Sequence, residues 1–407
     1  MTPTKPGTFA YESPALAVQA LAERLSPVGI ESSEWDQAVG RILAEAVVAD
    51  RPSPPCDVSA MDGYAVGLED LCLGRLPVAG EVTAGKEPPA LPPGTVLRIF
   101  TGAPIPPGCD AVIAREDVQE LPDAVVLPDA FALEPGRHIR RRGENGQAGE
   151  TVVRPGTAVS SAVAGALAAF GISRPKVYRR VQVAILVTGN EVHEVQTDVR
   201  PWQIRDSNGP ALAAMLSPLA FIELQSPRHA SDDPAALRAA VEEMADVADA
   251  LLLTGGVSMG NYDFVPEVLR SLGCEIVFHK LPIRPGKPVL GAVGRQGQAI
   301  LGLPGNPVSA LITARRIGVP VLRRLAGCAV VQVPRPLVRL RDTAGKPAGL
   351  FRYRLVRWNA AGDAEAVPSL GSGDLISAAR SDGFVEVPPD AKDGDLLPYF
   401  SWSAADG

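Results

Sequence analysis

The sequence predicts a multidomain α/β plus β protein with a doubly wound α/β domain at its centre. Residues 181–187, which are apolar except for Gln182, and the apolar run 250–253 are typical of strands buried on both faces of a parallel sheet. Helix-like segments separate these runs, and such alternation is typical of α/β folds. Short β-favouring runs between Pro/Gly clusters lie before and after this region, which indicates β units on either side of it.

Two helices are predicted near the N-terminus. Ser13 and Pro14 supply an N-cap and a first-turn proline, and the apolar residues that follow approximate helical spacing. The second predicted helix covers residues 36–49, where apolar residues again recur at helical spacing. The proline-rich run at residues 52–55 is expected to end it.

Residues 56–138 are predicted to form a compact β unit. Short β-favouring runs at residues 95–100 and 111–114 lie there between Pro/Gly clusters. A helix of small residues is predicted at 162–170. Gly171 is expected to end this helix, because glycine readily adopts the left-handed conformation found at helix C-termini.

The α/β domain is predicted to cover about residues 180–325. Its further helices are expected at 207–216 and 234–245, and a third buried strand is expected at 299–301. Beyond Pro334, short strand-like runs predict a small C-terminal β domain, with strands at residues 337–340, 353–358 and 383–387.

Composition limits the classes of function. The formal net charge of −7 argues against a nucleic-acid partner. No apolar run is long enough to span a membrane and no secretory signal is recognisable, so we expect a cytoplasmic protein without a membrane partner. The five cysteines are scattered and form no C-x-x-C pair, so neither a disulfide framework nor a zinc site is expected.

Three loops are expected at the carboxyl ends of the α/β strands, where ligands bind in open sheets. They contain T-G-N-E at residues 188–191, T-G-G-V-S-M-G-N-Y-D at 254–263 and L-P-G-N-P-V-S at 303–309. Glycines in such loops let backbone N–H groups approach an anion closely. A fourth segment, R-P-G-K-P at 284–288, presents two cations on a rigid turn, as an anionic ligand requires.

Each of these features also has a purely structural explanation. Glycine-rich turns commonly follow strands, and Asp263 precedes a helix-like segment that it could cap. Asp232 and Asp233 precede Pro234, so at least one of them is expected to be an N-cap. Glu191 could be a solvated loop carboxylate. The occurrence of four suitable loops in one domain nevertheless favours a ligand site.

Five sequence strings resemble one family. They are S-A-M-D-G-Y-A at residues 59–65, T-G-A-P at 101–104, T-G-G-V-S at 254–258, R-P-G-K-P at 284–288 and G-L-P-G-N-P-V-S at 302–309. In this order they resemble the molybdopterin molybdotransferase family, which is MoeA in bacteria and the E domain of gephyrin in animals. The resemblance extends from about residue 12 to about residue 400.

The resemblance implies a four-part protomer. Residues 10–55 and 139–179 would form a discontinuous elongated domain, and 56–138 an inserted β domain. Residues 180–328 would form an α/β domain similar to molybdopterin adenylyltransferases, and 329–405 a C-terminal β-barrel. The resemblance also implies a homodimer, with the site between the α/β domain of one subunit and the S-A-M-D-G-Y-A region of the other.

The activity that the resemblance implies is the insertion of molybdate into adenylylated molybdopterin, with release of AMP and with Mg2+ as cofactor. Partner proteins would be the molybdopterin adenylyltransferase and acceptor molybdoenzymes. Two alternatives stay open: adenylyl transfer to molybdopterin itself, and a non-catalytic scaffold that binds the cofactor.

The resemblance also implies roles for individual positions. The catalytic candidates are Asp62, Thr101, Glu191, Asp232 and Asp263, with Asp263 and Glu191 as the ligands of Mg2+. The candidates for binding the pterin or molybdate are Thr188, Gly255, Gly256, Ser258, Arg284, Lys287, Pro304, Asn306, Pro307, Ser309, Arg354 and Ser377.

Two positions depart from the family pattern. Asn190 and Asn145 stand where many relatives have an aspartate. An amide can still accept a hydrogen bond but carries no charge, so the substitutions put a metal or proton-transfer role at either position in doubt.

Overall fold

The computed structural model describes residues 9–257, 263–340 and 349–404. The chain divides into two compact units. The larger unit comprises Met1–Glu45, Pro155–Ala164 and Ser173–Gly407, and the smaller unit comprises Ala46–Arg154 and Gly165–Ile172. The finer division into four domains stays a prediction.

The structure contains strands and helices throughout both units. The strands are β1 (Ile30–Ser32), β2 (Val47–Val48), β3 (Val58–Ser59), β4 (Gly63–Val66), β5 (Arg75–Val82), β6 (Val96–Ile99), β7 (Ala111–Ala114), β8 (Gln119–Glu120), β9 (Ala124–Val126), β10 (Ile139–Arg140), β11 (Thr151–Val153), β12 (Lys176–Tyr178), β13 (Val181–Thr188), β14 (Val192–His193), β15 (Ile204–Arg205), β16 (Ile222–Leu224), β17 (Arg228–Ala230), β18 (Ala250–Thr254), β19 (Glu275–His279), β20 (Ile283–Arg284), β21 (Leu290–Val293), β22 (Ala299–Leu303), β23 (Leu337–Arg339), β24 (Phe351–Trp358), β25 (Ala364–Ala366), β26 (Gly383–Val387) and β27 (Leu396–Ser401). The α-helices are α1 (Pro14–Ala22), α2 (Ser161–Ala169), α3 (Asn208–Leu216), α4 (Pro234–Ala245), α5 (Val265–Ser271), α6 (Pro307–Thr313), α7 (Val319–Leu325) and α8 (Leu375–Ala379).

Seven strands form the central sheet of the larger unit. Its order is β16, β13, β18, β22, β21 and β19, and β17 also pairs with β13. Strand β13 is parallel to β16, β17 and β18, and β18 is parallel to β22. Strand β21 is antiparallel to both β22 and β19. The sheet is therefore mixed, with an antiparallel edge added to a parallel centre, as in many doubly wound folds.

Helices cover both faces of this sheet. On one face, Val183 and Ile185 of β13 join a core cluster with residues of α1, α3, α6 and α7. On the other face, Ala184 and Leu186 join a cluster with residues of α4 and α5. Both alternating sets of side chains are buried from Val183 onward, which is why residues 183–187 are all apolar. The doubly wound α/β prediction is confirmed.

The C-terminal strands form a second sheet in the larger unit. Its order is β20, β24, β26, β27 and β23, and β25 pairs with β24. Strand β20 precedes the central strands β21 and β22 in the chain but pairs with β24 in parallel. The chain around Arg284 therefore leaves the α/β sheet to join the C-terminal sheet, and it carries the R-P-G-K-P segment with it.

The smaller unit contains the predicted β unit. Its main sheet has six strands in the order β7, β4, β6, β5, β9 and β8. Strand β4 lies between β6 and β7 and is antiparallel to both, and all four of its residues are buried. Asp62 directly precedes this central strand, so its backbone is held by a well-packed element.

The predicted helix at residues 36–49 is wrong. The segment forms turns, after which Ile42 bridges to Ala158 and Leu43 bridges to Val177. Both apolar side chains are buried. Pairing with distant segments satisfies their backbone groups, and this tertiary contact outweighs the local helix preference.

The neighbouring predictions of helix ends are confirmed. Ser13 is the N-cap of α1, and its Oγ accepts a hydrogen bond from the backbone N–H of Leu16 at 3.2 Å. Gly171, which follows α2, has a φ of +68°, as expected of a glycine that ends a helix. In the described part of the chain, the helices are too short or too polar to cross a membrane.

Candidate functional site

Three loops lie side by side at the carboxyl edge of the central sheet, as predicted. Strands β13, β18 and β22 are neighbours, with Val187 opposite Thr254 and Thr254 opposite Leu303. The hydroxyl of Thr188 donates to the carbonyl of Thr254 at 3.2 Å. The backbone N–H of Gly255 donates to the carbonyl of Leu303 at 3.1 Å. These bonds tie the start of each loop to the next one.

The loops enclose a cavity of about 630 Å³, which we call the acidic cavity. Four carboxylates line it, those of Glu191, Asp206, Asp232 and Asp263, and Arg205 is the one cation among its described lining residues. It is also lined by several of the predicted pterin-binding residues, namely Thr188, Gly255, Gly256, Pro304, Asn306 and Pro307. Ser258 lies outside the described residues.

Gly255 and Gly256 have backbone conformations that favour glycine, with φ of +93° and +63°. A Cβ at position 255 would lie 2.6 Å from the Thr188 hydroxyl oxygen, so a side chain there would break the contact between the first two loops. Glycine is thus required both by conformation and by space.

Asn190 and Asp232 hold the first loop to the segment between β17 and α4. The backbone N–H of Asn190 donates to Asp232 Oδ2, and the backbone N–H of Asp232 donates to Asn190 Oδ1, each at 3.1 Å. An amide oxygen is sufficient for this reciprocal pair, so the absence of a charge at position 190 leaves the contact intact.

The two adjacent aspartates before α4 have different environments. Asp233 is the N-cap of the helix, and its Oδ1 accepts from the backbone N–H of Ala236 at 2.8 Å. Asp232 lines the acidic cavity instead. The structural explanation therefore applies to Asp233, and Asp232 stays a site candidate.

Asp263 lies in the wall of the acidic cavity, just before α5. The N-cap position of α5 is occupied by Phe264, which makes no side-chain cap. Asp263 therefore lies one residue before the N-cap position, whereas the alternative role of a helix cap required it to occupy that position.

The donor set of the acidic cavity suits a hard cation such as Mg2+, which prefers carboxylate oxygens. No group of three or more His, Cys, Asp or Glu side chains close enough to hold a metal occurs in residues 9–257, 263–340 and 349–404. The described carboxylates of the acidic cavity are too far apart to form a complete metal site by themselves. They suit a Mg2+ ion that also binds phosphate oxygens of a substrate, since Mg2+ is commonly held by one or two carboxylates plus such phosphates.

A second cavity, of about 800 Å³, lies beside the first, and we call it the basic cavity. Arg284, Lys287, Arg352 and Arg354 line it. No Asp or Glu occurs among its described lining residues. The two cavities share three lining residues, which are Pro288, Pro304 and Asn306. A cavity of this composition is suited to a small anion.

Backbone hydrogen bonds fix the turn at residues 284–288, which carries Arg284 and Lys287. Leu281 donates to the carbonyl of Lys287 at 3.0 Å, and Val289 donates to that of Gly286 at 3.1 Å. Gly286 has a φ of +102°, and a Cβ there would lie 2.6 Å from a methyl group of Thr313. The ammonium nitrogen of Lys287 lies 5.6 Å from the centre of the Phe9 ring, within reach of a cation–π interaction.

The predicted anion-binding residues divide into two groups. Ser309 lies in the basic cavity together with Arg284, Lys287 and Arg354. Ser377 is not among the residues that line it: its hydroxyl donates to Asp374 Oδ2 at 2.6 Å, and it belongs to the first turn of α8. This hydrogen bond is the largest of the effects that lower the pKa of Asp374 to about 2.

The segment before α8 contributes other residues to the basic cavity. They are Ser369, Gly371 and Ser372. The hydroxyl of Ser372 accepts from Asn306 Nδ2 at 2.9 Å, and its carbonyl accepts from the backbone N–H of Val308 at 3.0 Å. These bonds fasten the C-terminal segment to the L-P-G-N-P loop.

Asp62 and Thr101 contact each other in the smaller unit. The backbone N–H and the hydroxyl of Thr101 both donate to Asp62 Oδ1, each at 2.8 Å. The backbone bond is the main reason why the pKa of Asp62 is below its ordinary value. Asn145 lies in the same unit, where its Oδ1 accepts from Arg140 Nη2 at 2.9 Å. An amide satisfies that arginine without carrying a charge.

Several residues of the two cavities were missed at the level of sequence, and Arg352, Asp206 and Asn208 are among them. Arg352 lines the basic cavity, and Asp206 and Asn208 line the acidic one. Asp206 accepts from the backbone N–H of Gly209 at 2.9 Å and lies 3.1 Å from His229 Nε2. Two sequence patterns could have indicated these residues: R-Y-R at residues 352–354, and D-S-N at residues 206–208, where α3 begins.

Asn208 connects the start of α3 to the third loop. Its Nδ2 donates to the carbonyl of Gly305 at 2.8 Å, which fixes the orientation of the amide. Its buried Oδ1 has no hydrogen-bond partner within the described ranges of the chain.

Two segments of the chain match family models. Residues 13–171 match the MoeA N-terminal region (domain I and II), and residues 184–324 match a probable molybdopterin binding domain. A molybdopterin molybdenumtransferase of Synechococcus elongatus is 34% identical over 374 residues, which are 89% of this chain and 91% of that protein. Molybdopterin molybdenumtransferase 2 of Mycobacterium tuberculosis is 35% identical over 368 residues, which are 87% of this chain and 90% of that protein.

Two crystal structures of the molybdopterin biosynthesis protein MoeA from Pyrococcus horikoshii are similar over almost the whole chain. One has a TM-score of 0.79 at 25% identity and covers 95% of this chain and 99% of its own. The other has a TM-score of 0.73 at 30% identity and covers 96% of this chain and 98% of its own.

The different environments of the two aspartates before α4 can be tested by substitution. We expect Asp233→Ala to lower the free energy of unfolding by roughly 0.5–2 kcal/mol, because it removes an N-cap. Asp233→Asn should leave it nearly unchanged, since asparagine caps about as well. Urea denaturation of both variants measures this difference. An equal loss of stability in the two variants would contradict the cap assignment.

Proposed function

Because the chain belongs to the molybdopterin molybdenumtransferase family, we propose that it inserts molybdate into adenylylated molybdopterin and releases AMP, which yields the molybdenum cofactor. The observation that carries this proposal is the separation of charge between two adjoining cavities. One is lined by Arg284, Lys287, Arg352 and Arg354, and the other by four carboxylates. The reaction joins an oxyanion to a ligand that bears phosphates, and each needs a different electrostatic environment.

The basic cavity is the proposed binding site of molybdate. The guanidinium of Arg284 offers a planar fork of N–H donors that can hold two oxygens of a tetrahedral anion. Lys287 supplies a compact positive charge, and Ser309 supplies a hydroxyl from α6. Because carboxylates are absent from its described lining residues, no fixed negative charge opposes the entry of the anion.

The acidic cavity is the proposed site of the phosphate-bearing part of the substrate. Asp263 and Glu191 would hold Mg2+, which neutralises phosphate charge when bound. Asp232 holds the first loop in place through its two hydrogen bonds with Asn190. Backbone N–H groups of the glycine-rich loops are available to phosphate oxygens, because the glycines allow a close approach.

The arrangement promotes the reaction mainly by bringing two anions together. The cavities share Pro288, Pro304 and Asn306, so a ligand in one lies next to a ligand in the other. Water cleaves the phosphoanhydride bond of the adenylyl group and AMP leaves. The two dithiolene thiols bind molybdenum, and their protons leave with one molybdate oxygen as water. Proximity and charge stabilisation are the two effects that this chain supplies.

The proposal includes a homodimer with a shared site. Asp62 and Thr101 form a polar pair that follows the family pattern, and they would act on the substrate bound by the partner subunit. The molybdopterin adenylyltransferase, which would deliver the substrate, and acceptor molybdoenzymes, which would receive the product, are the proposed protein partners.

The first test is formation of the cofactor from purified protein, adenylylated molybdopterin, molybdate and Mg2+. We expect AMP release and cofactor formation, and we expect Lys287→Ala to raise the molybdate concentration needed for half-maximal activity because it removes a charge from the basic cavity. The exposed Lys392 lies in neither cavity, so Lys392→Ala is the matched control. Consumption of ATP without a need for molybdate would indicate an adenylyltransferase instead.

The second test concerns Mg2+ and Asp263. Asp263→Asn should leave the melting temperature nearly unchanged yet lower activity sharply, with partial recovery in excess Mg2+, because an amide is a poorer ligand for Mg2+ than a carboxylate. Glu267→Gln removes a charge from the first turn of α5, which follows Asp263 in the chain, at an exposed position outside the cavity and serves as the control. Full activity of Asp263→Asn at low Mg2+ would exclude the ligand role.

The third test concerns the shared site. Asp62→Ala and Asp263→Ala should each be inactive alone, and mixing them under conditions of subunit exchange should restore part of the activity. A heterodimer would contain one site with both carboxylates intact. Demonstrated exchange without any recovery of activity would show that the two residues do not act across an interface.

A further inference from the structure

Tyr353 belongs to the strand that carries two arginines of the basic cavity. It lies in β24 between Arg352 and Arg354, and all three are part of the wall of that cavity. Successive side chains of a strand point to opposite faces of a sheet. The two arginines therefore share one face of β24, and the Tyr353 side chain extends from the other face.

The Tyr353 side chain is almost completely buried and reaches an ion pair. Its hydroxyl donates to Glu386 Oε2 at 3.2 Å. The two residues are directly opposite each other on the antiparallel strands β24 and β26. Burial raises the pKa of Tyr353 well above its ordinary value, so the hydroxyl keeps its proton and stays a donor.

Glu386 is also bound to a buried arginine. Arg316 Nε donates to Glu386 Oε2 at 2.6 Å, and Arg316 Nη2 donates to Oε1 at 3.4 Å. Arg316 Nη1 additionally donates to Gln332 Oε1 at 3.3 Å. Both members of the ion pair are less than a tenth exposed, so their separation would leave a desolvated charge without its partner.

Arg316 is not among the described residues that line the basic cavity, but it lies on the continuation of a helix that does line it. It belongs to the π-helical segment Ala314–Gly318, which directly continues α6, the helix that carries Ser309. The chain Tyr353, Glu386, Arg316 thus joins the strand with the two arginines to the helix with the serine. Short π-helical segments inside helices are frequent at functional sites.

We propose that Tyr353 is a positioning residue for the oxyanion: through Glu386 and Arg316 it holds β24 against the extension of α6, so that Arg352 and Arg354 face the ligand bound by Lys287 and Ser309. This rests on the proposed function in one respect, namely that the basic cavity binds molybdate.

Tyr353→Phe is the variant that tests the proposal. It keeps the ring, which packs edge-to-face on Phe384 with 5.4 Å between centroids, and removes only the hydroxyl. Tyr399→Phe is the matched control, since Tyr399 is buried in the same sheet and its hydroxyl donates to the carbonyl of Asp382 at 2.9 Å, away from both cavities. Each substitution removes a hydroxyl that donates a hydrogen bond within this sheet, and only the Tyr353 hydroxyl contacts the Glu386–Arg316 ion pair.

Binding of inorganic molybdate is measured by calorimetry on the full chain, and thermal melting of each variant is recorded alongside. We expect Tyr353→Phe to weaken molybdate binding roughly three- to tenfold, which is the order of magnitude that one typical hydrogen bond contributes, and Tyr399→Phe to leave binding unchanged. In the cofactor assay, Tyr353→Phe should raise the half-saturating molybdate concentration and retain the maximal rate.

The outcomes separate the two proposals. Binding by Tyr353→Phe as tight as that of the unaltered protein would overturn the positioning role and leave the proposed function standing. Equal weakening in Tyr353→Phe and Tyr399→Phe would also overturn it, because the effect would then reflect general stability. Absence of molybdate binding to the unaltered protein would contradict the proposed function and this inference together.

Discussion

Hydrogen bonding between three parallel strands, β13, β18 and β22, is the interaction on which the candidate site depends. Parallel strands run in the same direction, so their carboxyl ends meet at one edge, and the register brings Thr188, Thr254 and Leu303 to that edge together. Each strand is buried on both faces, so a shift of register would disturb two cores. The register of the strands therefore also fixes where the three loops begin. The Thr188 hydroxyl and the backbone of Gly255 extend the cross-strand contacts beyond the sheet, which gives the acidic cavity a rigid floor.

Segregation of charge is the second property of the larger unit. A chain with a net charge of −7 needs a locally positive site to attract an anion. The positive site forms because β20 does not pair within the α/β sheet but pairs with β24 of the C-terminal sheet. This pairing places Arg284 opposite Arg352 and concentrates cations where the described wall contains no carboxylate. The carboxylates lie near the ends of the central strands, in the acidic cavity, which is separated from the basic cavity by the shared residues Pro288, Pro304 and Asn306.

Much of this organisation could be predicted from the sequence, for physical reasons that also explain the failures. Apolar runs such as residues 183–187 are recognisable because burial on both faces of a sheet requires apolar side chains at successive positions. The loops could be placed because strand ends converge. The prediction of a helix at residues 36–49 was wrong because Ile42 and Leu43 pair with residues that are distant in the sequence, and local spacing does not reveal such pairing. Arg352 was missed for the same reason, since only a pairing across about 70 residues brings it beside Arg284. The separate environments of Asp232 and Asp233 required atomic distances, because both satisfy the sequence rule for a cap.

The wall between the two cavities has a consequence for the design of inhibitors. Two of its three shared residues are prolines, whose ring restricts the backbone, and the third, Asn306, is tied to Ser372. Such a wall has little freedom to yield, so the separation between the two binding positions varies little. A single compound that carries a tetrahedral anion at one end and a diphosphate at the other would therefore gain from linkage. Binding of its first end would raise the effective concentration of the second, provided that the linker matches the fixed span.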